Sequence, residues 1–190
     1  MSAPILRLLG ATFASGGDVV VPPIVLDVYP GSRYAHLCTS PRHAHALAML
    51  AAGLARPSRG DVLIGEYDPR VQPVHCKHLA AFVPHDPLVL TNTSFGRYID
   101  YRAALWDIDA GRARAHATLL LDQLGALHEA FAYLIVAALL PSPRLLILDR
   151  PQLAYAQAIL AVAGQIAIFS THTDAESAAA YAPVRAREHA

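Results

Sequence analysis

Short apolar runs rich in valine, isoleucine and leucine alternate along the chain with longer segments in which alanine and leucine recur at helical spacing. This alternation is typical of an α/β layered fold. The predicted strands are Ile5–Phe13, Val19–Tyr29, Tyr34–Cys38, Asp61–Ile64, Leu79–Val83, Arg144–Leu148 and Ile166–Ser170. The predicted helices are Ala44–Ala55, Phe95–Trp106, Ala110–Leu124, Glu129–Leu140, Leu153–Val162 and Ala175–Ala182.

The strands fall into two groups. The segments "RLLILD" (144–149) and "IAIFST" (166–171) are continuous apolar runs, which are typical of strands buried on both faces of a parallel sheet. We interpret the first two strands and the strand at Asp61 as antiparallel and peripheral. The sequence therefore predicts a mixed sheet with peripheral antiparallel strands and flanking helices.

Length and composition narrow this picture. A chain of 190 residues suits one well-buried domain, so we predict a single domain over 1–190 with a flexible tail at 183–190. The 54% hydrophobic content, against 16% charged residues, favours covered sheet faces or a surface buried by a partner. Fifteen basic and fifteen acidic residues cancel, which argues against nucleic-acid binding.

The compartment follows from the apolar runs and the cysteines. No apolar run reaches the ~20 residues of a membrane helix, and the N-terminus lacks a basic-then-apolar signal. Cys38 and Cys76 are too few for a disulfide framework and fit buried thiols in a reducing compartment. We expect a cytoplasmic protein that does not insert into the membrane, although a partner could hold it peripherally at the inner membrane.

Five segments occur in an informative order. They are "PGSRYAHLCTSPRHAHALAMLAAGL" (30–54), "ARPSRGDVLIGEYD" (55–68), "AAFVPHDPLVLTNTSFGRYI" (80–99), "LLPSPRLLILDRP" (139–151) and "IAIFSTHTDAESAA" (166–179). Together they resemble the Walker A loop and helix, the following Pro-x-x-Gly segment, the Q-loop region, the Walker B strand and the switch-histidine strand of the ATP-binding-cassette (ABC) transporter ATPase domain. The resemblance covers residues 30 to 180 and implies a P-loop NTPase fold with a helical subdomain at about 86–140.

The nucleotide chemistry of that family is missing from the Walker A loop. In the Walker A loop of the family, glycines aim N–H groups at the phosphates, a lysine neutralises the phosphate charge, and a Ser/Thr hydroxyl holds Mg²⁺. The corresponding positions here are Cys38, Pro41 and His43 for the glycines, Ala44 for the lysine, and His45 and Ala46 for the hydroxyl pair. Proline has no N–H and a fixed φ. We therefore expect useful ATP affinity to be lost.

The downstream motifs show the same departures. His85 stands where the family has the glutamine that senses the metal and the γ-phosphate, and "GALHE" (125–129) replaces the signature Leu-Ser-Gly-Gly-Gln. Asp149 matches the Walker B aspartate, but Arg150 takes the place of the glutamate that polarises water. A guanidinium cannot serve as a general base. His172 matches the switch histidine. The sequence thus predicts no catalytic residue, no cofactor and a pseudo-ATPase.

The surviving residues also have simpler interpretations. Asp149 could accept hydrogen bonds from turn or helix N–H groups, and His172 could be a half-buried side chain that caps the next helix. Arg42, His43 and His45 lie at a helix start, where cations are disfavoured unless an anion is near. They form either a weak anion site or a solvated basic loop.

Without hydrolysis, the resemblance favours a structural or regulatory scaffold in a membrane transport or secretion complex. Its partner would be a membrane or secretion-complex subunit, or a second copy of the chain. Aromatic residues at near-helical spacing beside the Q-loop region are the candidate anchors: Phe95, Tyr98, Tyr101 and Trp106. Packing of these rings inside the protein is the alternative.

Two other functions stay open. The chain has ten histidines, and "HAH" (43–45) and "HCKH" (75–78) offer imidazole and thiolate groups at close spacing. His75, Cys76 and His78 are therefore weak metal-ligand candidates for a metal- or small-ligand-sensing protein. The other alternative is a transporter subunit with residual ATP binding.

Overall fold

A computed structural model describes residues 2–86, 94–125 and 129–182 of the chain. The strands are β1 (Leu6–Ser15), β2 (Asp18–Val28), β3 (Arg33–Leu37), β4 (Arg59–Ile64), β5 (Ala80–Val83), β6 (Leu145–Asp149) and β7 (Ala167–His172). The helices are α1 (Pro41–Ala51), α2 (Pro73–Leu79), α3 (Phe95–Leu105), α4 (Ala110–Leu124), α5 (Glu129–Leu139), α6 (Ala156–Ala163) and α7 (Ala175–Tyr181).

The predicted antiparallel strands form a sheet of their own, with the order β2-β1-β4. The two-residue turn of Gly16 and Gly17 joins β1 to β2, and both residues have positive φ, at 65° and 90°. Such turns require positive φ so that the hairpin follows the natural twist of its strands. The predicted antiparallel pairing of the first two strands and of the Asp61 strand is confirmed.

The central sheet is parallel, with the order β3-β7-β6-β5. Every residue of β6 and β7 is buried, as their continuous apolar runs predict. In the register, Leu37 pairs with His172 and Asp149 pairs with Thr171. The carboxyl ends of β3, β6 and β7 therefore meet at one edge of the sheet, where the loops that lead into α1, α6 and α7 begin.

Two hydrophobic clusters fill the interior. One lies between the antiparallel sheet, α1 and one face of the parallel sheet, and it includes Leu8, Leu47 and Phe169. The other lies between α3, α4, α5, α6 and the opposite face, and it includes Ile99, Leu120 and Ile135. The α/β layered prediction is confirmed, with the difference that the antiparallel and parallel strands form separate sheets.

Several element bounds differ from the sequence prediction. Helix α1 starts at Pro41 rather than Ala44, α2 was not predicted, and residues 153–155 form a 3₁₀ turn before α6. The proposed tail at 183–190 lies outside the described residues, and most of the signature position, at 126–128, does as well. Among the helices that the structure describes, none combines the length and apolar character needed to cross a bilayer.

Candidate functional site

The carboxyl edge of the parallel sheet gathers most of the residues that the sequence singles out. The loop between β3 and α1 crosses this edge beside Asp149, the last residue of β6, and His172, the last residue of β7. In open α/β sheets this edge is where ligands bind. The site therefore has the position of a ligand-binding crevice, and its chemistry depends on the side chains that line it.

Ser40 caps the first turn of α1. Ser40 is the N-cap, and its Oγ accepts a hydrogen bond from the backbone N–H of His43 at 3.1 Å. The Ser40 carbonyl accepts from Ala44 N–H at 3.0 Å, and Pro41 has no N–H. The side chain of Arg42 points to the β1–β2 hairpin, where it donates to the Ser15 carbonyl at 3.4 Å. The N–H groups of His43 and Ala44 are therefore engaged within the protein.

Asp149 is buried and has the side chains of His45 and Arg150 as hydrogen-bond partners. Its side chain is 1% exposed, His45 Nδ1 lies 2.6 Å from Oδ2, and Arg150 Nε lies 2.9 Å from Oδ1. Burial raises the pKa of Asp149, but the hydrogen bonds from Arg150 and His45 more than offset burial and leave this pKa below its ordinary value. The carboxylate is therefore ionised at neutral pH, with both oxygens occupied by side-chain donors.

An unusual backbone conformation allows Arg150 to reach its neighbour. Its φ of 46° lies in the left-handed region, which few non-glycine residues adopt. The Arg150 N–H donates to the Thr171 carbonyl at 3.0 Å, and His85 Nδ1 donates to the Arg150 carbonyl at 2.8 Å. His85 thus supports the turn that holds the guanidinium against Asp149.

His172 is fully buried, with 1% exposure, rather than half-buried as the sequence suggested. Its Nδ1 lies 2.9 Å from Ser177 Oγ and its Nε2 lies 2.8 Å from Ser170 Oγ. Because the Ser177 hydroxyl donates to the Pro151 carbonyl, we assign the proton to Nδ1 and let Nε2 accept from Ser170. Burial lowers the pKa of His172 to about 4. The ring is a neutral part of a closed hydrogen-bond network.

The four candidate partner-binding aromatics have different surroundings. The ring of Phe95 packs 4.4 Å from that of Tyr133, and Trp106 meets His78 edge-on at 5.2 Å. Tyr98 is half-buried against the helical core, whereas Tyr101 is 60% exposed. The four rings therefore do not form one continuous surface.

A broader apolar surface borders this helix. A cleft of about 710 Å³ lies between α2, β5 and the end of α3. Its lining includes Leu54, Val74, Lys77, Phe82, Leu105 and Trp106. Leu54, Val74 and Leu105 are between 51% and 63% exposed, so the cleft borders exposed apolar side chains.

The two histidines and the cysteine of "HCKH" do not converge on one point. His75 stacks on the Tyr67 ring at 4.6 Å, Cys76 Sγ contacts the Tyr67 carbonyl at 3.6 Å, and His78 packs on Trp106. Among the described residues, the group of ligating side chains close enough to share a metal is His36, Cys38 and His43.

The sequence reasoning missed His36. Residues 36 and 38 both fall in the predicted strand Tyr34–Cys38, in which residues two positions apart share a face. That His-x-Cys spacing is the signal that would have paired His36 with Cys38. Contact with His43 depends on the packing of α1, which the strand pattern does not contain.

Comparisons with known proteins define the fold. No protein-family model matches the chain. The structure is similar to CbiO1 from Clostridium perfringens, part of the ABC transporter complex CbiONQ, with a TM-score of 0.72, 18% identity and coverage of 91% of this chain and 80% of that one. It is also similar to an ATP-binding subunit of an ABC transporter, with a TM-score of 0.77, 18% identity and coverage of 94% and 83%. The chain therefore has the ABC-ATPase-like (P-loop NTPase) fold.

Proposed function

We propose that this chain is a catalytically inactive ABC-ATPase-like subunit, which acts as a structural or regulatory scaffold in a membrane transport or secretion complex and does not hydrolyse ATP. The pairing of Asp149 carries the proposal. By the resemblance, position 45 belongs to the hydroxyl that shares Mg²⁺ with the Walker B aspartate. Here His45 reaches Asp149 directly at 2.6 Å, and Arg150 occupies the other oxygen at 2.9 Å. Two side-chain donors stand in the place of the metal.

The phosphate positions support the same proposal. Charge-assisted contacts from a lysine and from N–H groups at a helix start are the main source of phosphate affinity in such loops. Ala44 supplies no charge, and Ser40 already engages the N–H groups of His43 and Ala44. The residues present do not fit a Mg²⁺-nucleotide.

The groups that would activate water support it as well. A general base needs a free lone pair near the attacking water. Arg150 has none, and both nitrogens of His172 are engaged by Ser170 and Ser177. Without a general base and without groups that bind phosphate, the protein keeps the fold but does not catalyse ATP hydrolysis.

Nucleotide binding is the direct test. With millimolar MgATP, we expect no change in melting temperature and no phosphate release, whereas a ligand at 100 times its Kd would add about 2.7 kcal/mol of stability. An intact ABC ATPase subunit is the positive control. Asp149→Asn is the matched variant, since phosphate release that persists in it comes from a contaminant. A melting-temperature rise with MgATP that Asp149→Asn abolishes would contradict the proposal.

The scaffold part of the proposal places the partner beside α3. Tyr101 and Leu105 lie one helical turn apart and are 60% and 56% exposed. Together with the adjacent 710 Å³ cleft, they offer an apolar surface suited to a helix of a membrane or secretion-complex subunit. One of the structurally similar proteins is itself part of a transporter complex.

The partner surface is tested by capture of the complex from the native host. Tyr101→Ala combined with Leu105→Ala should abolish capture and leave the fold intact, because both side chains are exposed. Leu119→Ala on α4, which removes a side chain that is 61% exposed, is the matched control. Loss of the complex in Asp149→Asn but not in the double variant would locate the interface at the pocket. Loss of a homodimer in gel filtration would identify a second copy as the partner.

A further inference from the structure

Three ligating side chains converge beside the α1 N-terminus. His36 belongs to β3, and Cys38 directly follows the last residue of this strand, with its N–H bonded to the His172 carbonyl at 2.7 Å. His43, at the third position of α1, faces them from the helix. One ligand atom from each residue lies within 4.8 Å of the other two, and the His36 and His43 rings meet edge-on at 6.1 Å.

We propose that His36, Cys38 and His43 bind one Zn²⁺ ion at the carboxyl end of β3. Zinc prefers tetrahedral sites of thiolate and imidazole, with Zn–S of about 2.3 Å and Zn–N of about 2.0 Å. These lengths place ligand atoms roughly 3.5 Å apart. The ring of His36 has room to close this gap because it is only half-buried, on the edge strand of the sheet. A water molecule completes the four ligands.

The protonation states of the two histidines suit such a site. Burial lowers the pKa values of His36 and His43, so both imidazoles are neutral at pH 7, which is the form that binds a metal. Burial raises the pKa of Cys38 to about 12, so the free protein carries a thiol. When Zn²⁺ binds, the S–H bond breaks, the S–Zn bond forms and one proton leaves to solvent. The charge of the ion favours this exchange.

A second contact orients one ligand. Thr39 Oγ1 lies 3.2 Å from His43 Nδ1. His43 is 8% exposed at the start of α1. When Nδ1–H donates to this hydroxyl, Nε2 is left as the metal-binding atom. Outer hydrogen bonds of this kind fix the tautomer and the ring orientation of zinc-binding histidines.

Cobalt substitution tests the site with a readout that identifies the sulfur. The full-length protein, treated with a chelator, is titrated with Co²⁺, and the thiolate-to-cobalt charge-transfer band is followed in the near ultraviolet. We expect one equivalent of Co²⁺ to give this band and Zn²⁺ to displace it. Cys38→Ser should remove the band, and His36→Asn should weaken binding about tenfold or more.

Cys76→Ser is the matched control, since Cys76 is also buried but lies apart from the cluster. Its band should equal that of the wild type. Absence of the band in the wild type, or its loss in Cys76→Ser and not in Cys38→Ser, would overturn the proposal. If circular dichroism shows that Cys38→Ser does not fold, the half-buried His36→Asn decides the question, and unchanged affinity in that variant would overturn the proposal.

Discussion

Replacing His172 with glutamine should remove the contribution of His172 to the loss of stability in mild acid. Burial lowers the pKa of His172 from 6.5 to about 4. The unfolded chain therefore takes up this proton below pH 6.5, while the folded protein does not until about pH 4. The stability contributed by the neutral ring is complete above pH 6.5 and is lost as the pH falls towards 4. At 1.36 kcal/mol for each unit of pKa, the whole loss is about 3 kcal/mol.

Urea unfolding at pH 7 and pH 5 measures this effect. Between these two values His172 should contribute about 2 kcal/mol to the decrease in the free energy of unfolding. His172→Gln keeps a donor and an acceptor for the two serines but does not titrate, so its decrease should be smaller by that amount. His116→Gln, on the exposed face of α4, is the control and should behave as the wild type. An identical pH dependence in the wild type and in His172→Gln would refute the reasoning.

Four other substitutions have defined outcomes. Ala44→Lys alone should not create MgATP binding in calorimetric titration, because Ser40 still engages the N–H groups of the helix start; measurable heat of binding would show that the loop is competent. Ser40→Ala should lower the free energy of unfolding in urea by about 1 kcal/mol, since it removes the N-cap acceptor; an unchanged value would mean that the cap is not used. Gly60→Ala should lower the free energy of unfolding by about 2 kcal/mol or more, because the added Cβ would overlap the Gly10 carbonyl. Gly16→Ala, where φ is positive but the surrounding space is open, should lower it by about 1 kcal/mol. Equal decreases would mean that the overlap at Gly60 is relieved.

The bounds of helices and strands were predicted closely where the local sequence pattern fits only one kind of element. The strands β6 and β7 differ from their predicted bounds by one or two residues, because a short continuous apolar run fits a buried parallel strand. The bounds of α4 were predicted without error, since Asp109 caps its start and Gly125 ends it. These signals are local, so the sequence contains them in full.

The start of α1 shows where resemblance misled the prediction. The phosphate-loop pattern placed the helix start at Ala44, but Ser40 followed by Pro41 is an N-cap and first-turn pair that starts a helix three residues earlier. Local capping decided the outcome because the glycines that hold a loop open are absent. Helix α2 was missed for another reason. Only Cys76 is buried among its seven residues, so it has no apolar periodicity to detect.

The candidate site could be predicted only in part. The sequence identified Asp149, Arg150 and His45 by position in the resemblance, yet residues 45 and 149 are 104 positions apart and their contact is tertiary. The contact between adjacent Asp149 and Arg150 depends on a φ of 46°, which no composition rule predicts for arginine. Such pairings arise from the packed fold and not from spacing.

The hydrogen-bond partners of Asp149 belong to the chain itself, and under the proposed function this limits how the chain can respond to nucleotide. Magnesium and nucleotide enter and leave a hydrolysing subunit, so the net charge of its pocket alternates as ATP is hydrolysed. A carboxylate bound by its own histidine and arginine has no such alternation. Its binding to a partner would be independent of the cellular ratio of ATP to ADP. In a mixed assembly, ATP hydrolysis by the other subunits would set the timing of the cycle, and this chain would present the same binding surface throughout.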